Sequence, residues 1–458
     1  MSAGGDAAND DHPGSTRPAG PRAPAPKHAL RKPVFWLGPL VVVGIVMGLL
    51  GALYLGSMLN PIKHLSHFPI AVVDQDAGTD LPSAGGVQKV DLGGEITNGL
   101  LAQIDHRKVD LRRLDMSTAQ AQLDSGKIYG AIVIPVDFSA QTVALGAAVL
   151  TDKPVDKPVV TVLTNPRAGS VSVQFVQTIT DQALTQVSKN VSTTLTPLVQ
   201  NQLAARPGSP PLSAAATYVL SDPITVHTVA HNPLPADTGL GLSAFYFALL
   251  LTLAGFTGST IIHTLVDSQL GFVPAEFGPR YIFRDRVELT RTQTLLVKWV
   301  LVLLMAMVVS ALYLWIGHLL GMPLPNVLLI WEYGVLVITA IGVSTVSVMA
   351  IFGSVGLLVN LLVFVVFGLP SSGGTIPLEA TPGFYQWLAG FEPMHQVFVG
   401  TRALLYFGGR LDAGLAHAAI MAAIGLAIGA AIGLIATRYY DRKGHDRAVR
   451  EQLTPTEP

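Results

Sequence analysis

Five stretches of this chain, 25 to 46 residues long, contain no Asp, Glu, Lys or Arg. No other feature constrains the fold as strongly, because a helix needs about 20 mainly apolar residues to cross a bilayer. The first stretch lies between Lys32 and Lys63, with its apolar core at 34–55. That core exceeds the roughly 7–15 apolar residues of a cleaved signal peptide, so it reads as an uncleaved anchor. The others are 238–266, 299–331, 333–378 and 413–437. The 46 residues of 333–378 are too many for one crossing, and Gly353-Ser354 near the middle offers a tight turn. Six spans are therefore expected, near 34–56, 240–265, 297–319, 327–349, 353–370 and 415–437.

Charge agrees with this class. Charged residues make up 13% of the chain, about half the roughly 25% of soluble globular domains. An ordinary cytosolic enzyme and a disordered or fibrous chain are both excluded. With 29 Lys and Arg against 30 Asp and Glu, nothing points to nucleic acid. Cysteine is absent, which removes disulfides, thiolate metal sites and a thiol nucleophile.

Basic residues near span ends set the expected orientation. Arg17, Arg22, Lys27, Arg31 and Lys32 precede the first span. Arg280, Arg284, Arg286, Arg291 and Lys298 lie between the second and third, and Arg438, Arg442, Lys443, Arg447 and Arg450 follow the last. Both termini are thus expected in the cytoplasm of a multi-pass plasma-membrane protein, with segment 59–238 outside.

The expected organisation has a disordered tail at 1–32, a first helix at 33–58 and an extracytoplasmic α/β domain at 59–238. A five-helix membrane domain at 239–440 and a cytoplasmic tail at 441–458 follow. In the α/β domain, 69–73, 129–135, 157–163 and 224–230 read as strands. Ser117-Thr118-Ala119-Gln120 reads as a helix start with a capping box. Residues 170–196 carry Val173, Val176, Ile179, Leu184, Val187, Val191 and Leu195 at helical spacing, with Pro197 as a stop or kink. A helix of that length reaches roughly 39 Å and could hold the domain away from the membrane. The aromatic-rich segment 371–412 reads as short helices in the outer interface.

Several local patterns mimic sites. Asp74, Asp76, Asp80 and Gly78 imitate a calcium loop, but position twelve is Gly85, so an Asp-Gly turn is the simpler reading. His227 and His231 lie in a strand-like run, about 13 Å apart, too far to share an ion. His64 and His67 offer two ligands only. There is no phosphate-binding P-loop and no nucleophile elbow, so any ATP must act through a partner subunit, and the chain reads as no enzyme.

Inside the spans, Glu332 and Asn360 are candidate polar points on a translocation path. Glu332 also reads as an interfacial residue beside Trp331 and Tyr333, and Asn360 as an interhelical hydrogen bond. Gly425, Gly429 and Gly433 form a small-residue face suited to close helix packing, as do Gly44 and Gly48.

Four segments carry a family resemblance: FPIAVVDQDAG (68–78), LDSGKIYGAIVIPVDFS (123–139), NPLPADTGLGLSAFYF (232–247) and LPSSGGTIPLEATPGFYQWLAGFEPM (369–394). Their order resembles the phage-infection-protein (YhgE/Pip-like) family and its nitrosoguanidine-resistance-type relatives in the type-2 ABC permease superfamily. The resemblance spans about 34–440. It implies a six-span permease core, a large outer domain, a homodimer in the lipid bilayer, and an ABC ATPase meeting the first cytoplasmic loop. Arg280, Arg284, Arg286, Glu288 and Arg291 are the coupling candidates. Arg280, Arg284 and Arg291 would share a helical face, and Phe272, Phe277, Tyr281 and Phe283 would add apolar anchors.

The leading functional expectation is a permease exporting a drug-like or lipid-like compound. The alternative is a non-transporting scaffold, secretion-apparatus subunit or phage receptor working through the outer domain.

Overall fold

A computed structural model describes residues 33–83, 86–149, 156–204, 212–282 and 284–444. The disorder expected for 1–32, most of the C-terminal tail and Phe283 lie outside the described residues. The chain divides into two compact units, residues 1–49 and 50–458. The described part of the first is the N-terminal portion of helix α1 (Pro33–Met58), and the second holds its end and every other element.

The chain is mostly helical. Among the described residues, six helices are long and apolar enough to cross a membrane: Trp36–Met58, Leu242–Gln269, Arg291–Leu319, Val327–Phe352, Ser354–Ser371 and Leu415–Arg442. The third begins six residues earlier than expected. Thr290 accepts a hydrogen bond from the Gln293 backbone N–H, and the Gln293 side chain accepts one from Thr290, which fixes the start at Arg291. Lys298 therefore lies two turns inside the helix instead of at its edge. The fourth and fifth spans part at Gly353, whose φ of 60° suits glycine. A side chain at Gly356 would sit 2.8 Å from the Met349 backbone, so that turn closes only with glycine there. The fourth span is the hub and packs against the second, third, fifth and sixth. The second and fifth each contain a π-helical turn, Ala254–Gly258 and Leu362–Phe367, with Phe256 and Phe364 rings 6.2 Å apart.

Between the first two spans lies an α/β domain. Five strands form one sheet: β1 (Phe68–Asp74), β4 (Val109–Arg113), β5 (Gly130–Ile134), β6 (Val159–Thr164) and β7 (Thr225–Ala230). Their order is β4-β1-β5-β6-β7, with only the β5–β6 pair antiparallel. A small hairpin, β2 (Thr79–Ser83) and β3 (Gly86–Val90), stands apart from the sheet. β1 is apolar at nearly every position because both its faces are covered. Ile70 and Val72 join one core with helix α2 (Leu92–Gln103), while Ala71 and Val73 join another with helix α3 (Met116–Asp124).

Two helix expectations are corrected. α3 is capped by Asp115, whose carboxylate accepts from the Thr118 N–H at 2.9 Å, instead of starting at Ser117. The Ser117 and Thr118 hydroxyls also donate to it and hold it below the usual carboxylate range. After α4 (Phe138–Val149), α5 runs from Ser170 to Ala204, straight through Pro197. Val176, Leu184, Val187, Val191, Leu195 and Val199 all enter the core beside the sheet, and this burial offsets the cost of the proline. α5 is thus part of the domain's own core and not a spacer. A short helix α6 (Ala214–Ser221) packs on it.

Candidate functional site

A cavity of about 380 Å³ lies among the fourth, fifth and sixth spans and the short helix Pro393–Tyr406. Its walls are almost wholly apolar. Polar atoms enter from Ser344 and Ser347 on the fourth span, Asn360 on the fifth and Gln396 on the short helix. Ile424, Ile428 and Ile432 of the sixth span line it and are exposed. Asn360 is buried and donates to the Thr345 carbonyl at 3.1 Å, so it both ties two spans together and lines the cavity. Glu332 is exposed and lines no part of it.

The glycine face of the sixth span divides in role. Side chains at Gly429 and Gly433 would collide with Ser344 and Ser347, so both glycines let the sixth span close on the fourth. Gly425 meets nothing within 4 Å and leaves cavity space open.

A charged cluster that sequence reasoning missed joins the second and third spans. Lys298, 1% exposed, places Nζ 2.6 Å from Asp267 Oδ1. His263 lies one turn before Asp267, its Nε2 3.2 Å from Asp267 Oδ2 and its Nδ1 3.1 Å from Lys298 Nζ. With an ammonium at Lys298 donating, His263 Nδ1 accepts and its Nε2–H can donate to Asp267, so the three side chains link the two spans. The signal was present as His and Asp four residues apart on one span, facing a lysine on the next. Lys298 was instead taken for a flanking charge.

The segment after the fifth span carries a second buried acid. Glu392 is 2% exposed and caps the helix Pro393–Tyr406, accepting from the His395 N–H at 3.0 Å. Its other oxygen, Oε1, has no partner among the described residues. Burial raises its pKa to about 7, and burial lowers that of His395 to about 4. Phe384, Trp387 and Phe391 form an exposed aromatic cluster in the same segment.

The loop between the second and third spans is not helical, which corrects the shared helical face expected of Arg280, Arg284 and Arg291. Arg280 lies in a two-strand hairpin, Ala275–Phe277 with Arg280–Ile282. Arg284, Arg286 and Glu288 are exposed in an extended run, and Arg291 opens the third span. Tyr281 is exposed, and Arg286 stacks 5.6 Å from the Phe272 ring.

The aspartate motif is structural. Asp76 accepts from the Gly93 N–H at the start of α2 and from the Ser139 N–H and hydroxyl at the start of α4, binding two helix ends together. Asp74 pairs with Arg113 at 3.3 Å. His231 bonds Asp124 at 2.8 Å, and no group of three metal-ligating side chains occurs among the described residues.

Six membrane-competent helices, an α/β domain between the first two, and an apolar cavity beside the last define a polytopic membrane protein. The chain belongs to the family described as "Protein of unknown function (DUF3533)", whose sequence model matches residues 39–426. A search of curated proteins and a search of solved structures each return no match.

Proposed function

We propose that the chain is the permease subunit of an exporter for a hydrophobic or amphipathic compound, powered by a separate ABC-type ATPase. In this reading it forms a homodimer in the plasma membrane, with both termini in the cytoplasm and the α/β domain outside. The observation that carries it is the 380 Å³ apolar cavity with Asn360 and Gln396 at its wall. Ligand sites of this kind combine a large apolar surface with few polar groups that fix orientation. The exposed isoleucines on its sixth-span wall suit a compound entering from the lipid. The exposed residues Arg284, Arg286 and Glu288, with the hairpin before them, offer the ATPase a mixed-charge surface.

Gly425→Trp tests the cavity, because its side chain grows into open space. The variant should reach the membrane at normal level and lose efflux of the lipophilic dye Nile red. Unchanged efflux with the cavity filled counts against the reading. Orientation is tested separately, since the chain has no cysteine. Asp181→Cys should react with an impermeant maleimide in intact cells and Glu276→Cys should not. The reverse pattern overturns the topology.

A further inference from the structure

We propose that the seam between the α/β domain and the segment after the fifth span binds an anionic phospholipid. Its phosphate oxygens would lie between Arg167 and Arg402, and part of its acyl chain in an adjoining apolar cavity.

A narrow cleft of about 20 Å³ is lined by Arg167, Ser170 and Ser172 on one side and by Gly373, Gly374 and Arg402 on the other. Arg167 Nη1 donates to the Tyr406 carbonyl at 3.1 Å, and Arg402 Nη1 to the Ala168 carbonyl at 3.2 Å. The Nε of each is buried with no partner, and neither guanidinium pairs with a carboxylate among the described residues. The acid nearest in influence, Glu379, accepts from the Tyr129 hydroxyl at 2.9 Å. Glu379 acts on Arg402, and no salt bridge reaches Arg167 among the described residues, so the two guanidiniums leave positive charge to be met. Arg402 is further held against Phe398, 5.4 Å from the ring.

Two further features point to an anion. The 35-residue helix α5 begins at Ser170, so its unpaired first-turn N–H groups and the positive end of its dipole face the cleft. Ser172, 1% exposed, also lines the cleft. The cleft has room for the charged oxygens of a headgroup but not for a choline.

Gly373 and Thr375 line a second cavity as well, about 190 Å³. Its other walls include Tyr54, Met58, Phe245, Leu369 and Ile376. A cationic slot that adjoins an apolar chamber matches a phosphate attached to an acyl chain. The proposal goes beyond export, because occupancy is measured without transport.

The test uses the full chain in detergent, with thermal midpoint read against added lipid. Phosphatidylglycerol should raise the midpoint saturably, at concentrations at least tenfold below phosphatidylcholine. The Arg167→Gln/Arg402→Gln pair should weaken that response at least tenfold, while the exposed control Arg107→Gln leaves it unchanged. Equal response to the two lipids, or an unaffected double variant, overturns the proposal. Inorganic phosphate alone should act only weakly, and a full response to it refutes the acyl-chain half. If the double variant does not fold, Ile376→Trp decides. It should weaken phosphatidylglycerol and spare inorganic phosphate, and wild-type lipid binding by that variant refutes the assignment.

Discussion

Replacing Lys298 with Met should cost the fold about 3 kcal/mol, at the lower end of what stranding one member of a buried ion pair costs. Two magnitudes compete here. Neutral side-chain hydrogen bonds between membrane helices average only about 0.6 kcal/mol. The charge effect should dominate because both Asp267 oxygens are engaged, Oδ1 by Lys298 at 2.6 Å and Oδ2 by His263 at 3.2 Å, and its side chain is 8% exposed. Removing the ammonium takes the cation away from Oδ1 of a buried carboxylate. Asp267→Leu should cost a similar amount by taking the carboxylate away from the buried lysine. The double variant Lys298→Met/Asp267→Leu strands neither and should fall within about 1 kcal/mol of wild type, since apolar replacement of a buried pair is often neutral. Equilibrium unfolding in mixed micelles, titrated with dodecyl sulfate, measures all three. The single costs should exceed the double by at least 2 kcal/mol in sum, beyond the roughly 0.5 kcal/mol scatter of independent sites. Strictly additive costs would refute the triad as a clamp between the second and third spans.

Other outcomes follow from the same geometry. Gly429→Leu and Gly433→Leu should each cost about 1–3 kcal/mol by overpacking against Ser344 and Ser347, while Gly425→Ala should leave the thermal midpoint unchanged. Pro197→Ala, exposed inside α5, should raise stability of the chain by about 1–3 kcal/mol in chemical unfolding. Glu392, with its pKa raised to about 7, contributes stability present below about 4.5 and lost as pH rises through 7. His395, lowered to about 4, contributes the opposite slope, present above 6.5 and lost as pH falls through 4. Thermal midpoints of Glu392→Gln should therefore rise from pH 4 to 6.5, and those of His395→Gln should fall from pH 4.5 to 7. Matching profiles in the two variants would contradict both assignments.

The spans were legible because bilayer length and the absence of charge are read directly from sequence, and Gly353 divided the 46-residue window correctly. Strands β1, β5, β6 and β7 were legible from apolar runs and alternation. β4 was missed because its sequence, VDLRR, carries three charges and pairs only with β1 at the sheet edge. Pro197 misled because local propensity says stop, while six apolar side chains on one face outvote it. Lys298 misled for a related reason. A charge was taken as the end of a span, although Asp267 and His263 hold that charge inside. Asn360 was found because a lone amide in an apolar span has few roles. Arg402 and Glu392 were not, since only the fold brings α5 and the short helix Pro393–Tyr406 together.

The central claim is that this chain moves a compound at the expense of ATP held by another subunit. Affinity purification of the full chain from its own membranes, read by mass spectrometry, tests it most directly. An ABC-type ATPase should co-elute in stoichiometric amount with the wild type and be lost when Arg284, Arg286 and Glu288 are all changed to Ala. Single substitutions should do little, because exposed ion pairs contribute roughly 0–1 kcal/mol each. A wild-type preparation with no ATPase, or one retained equally by the triple variant, would contradict the account and favour a scaffold that works through its α/β domain.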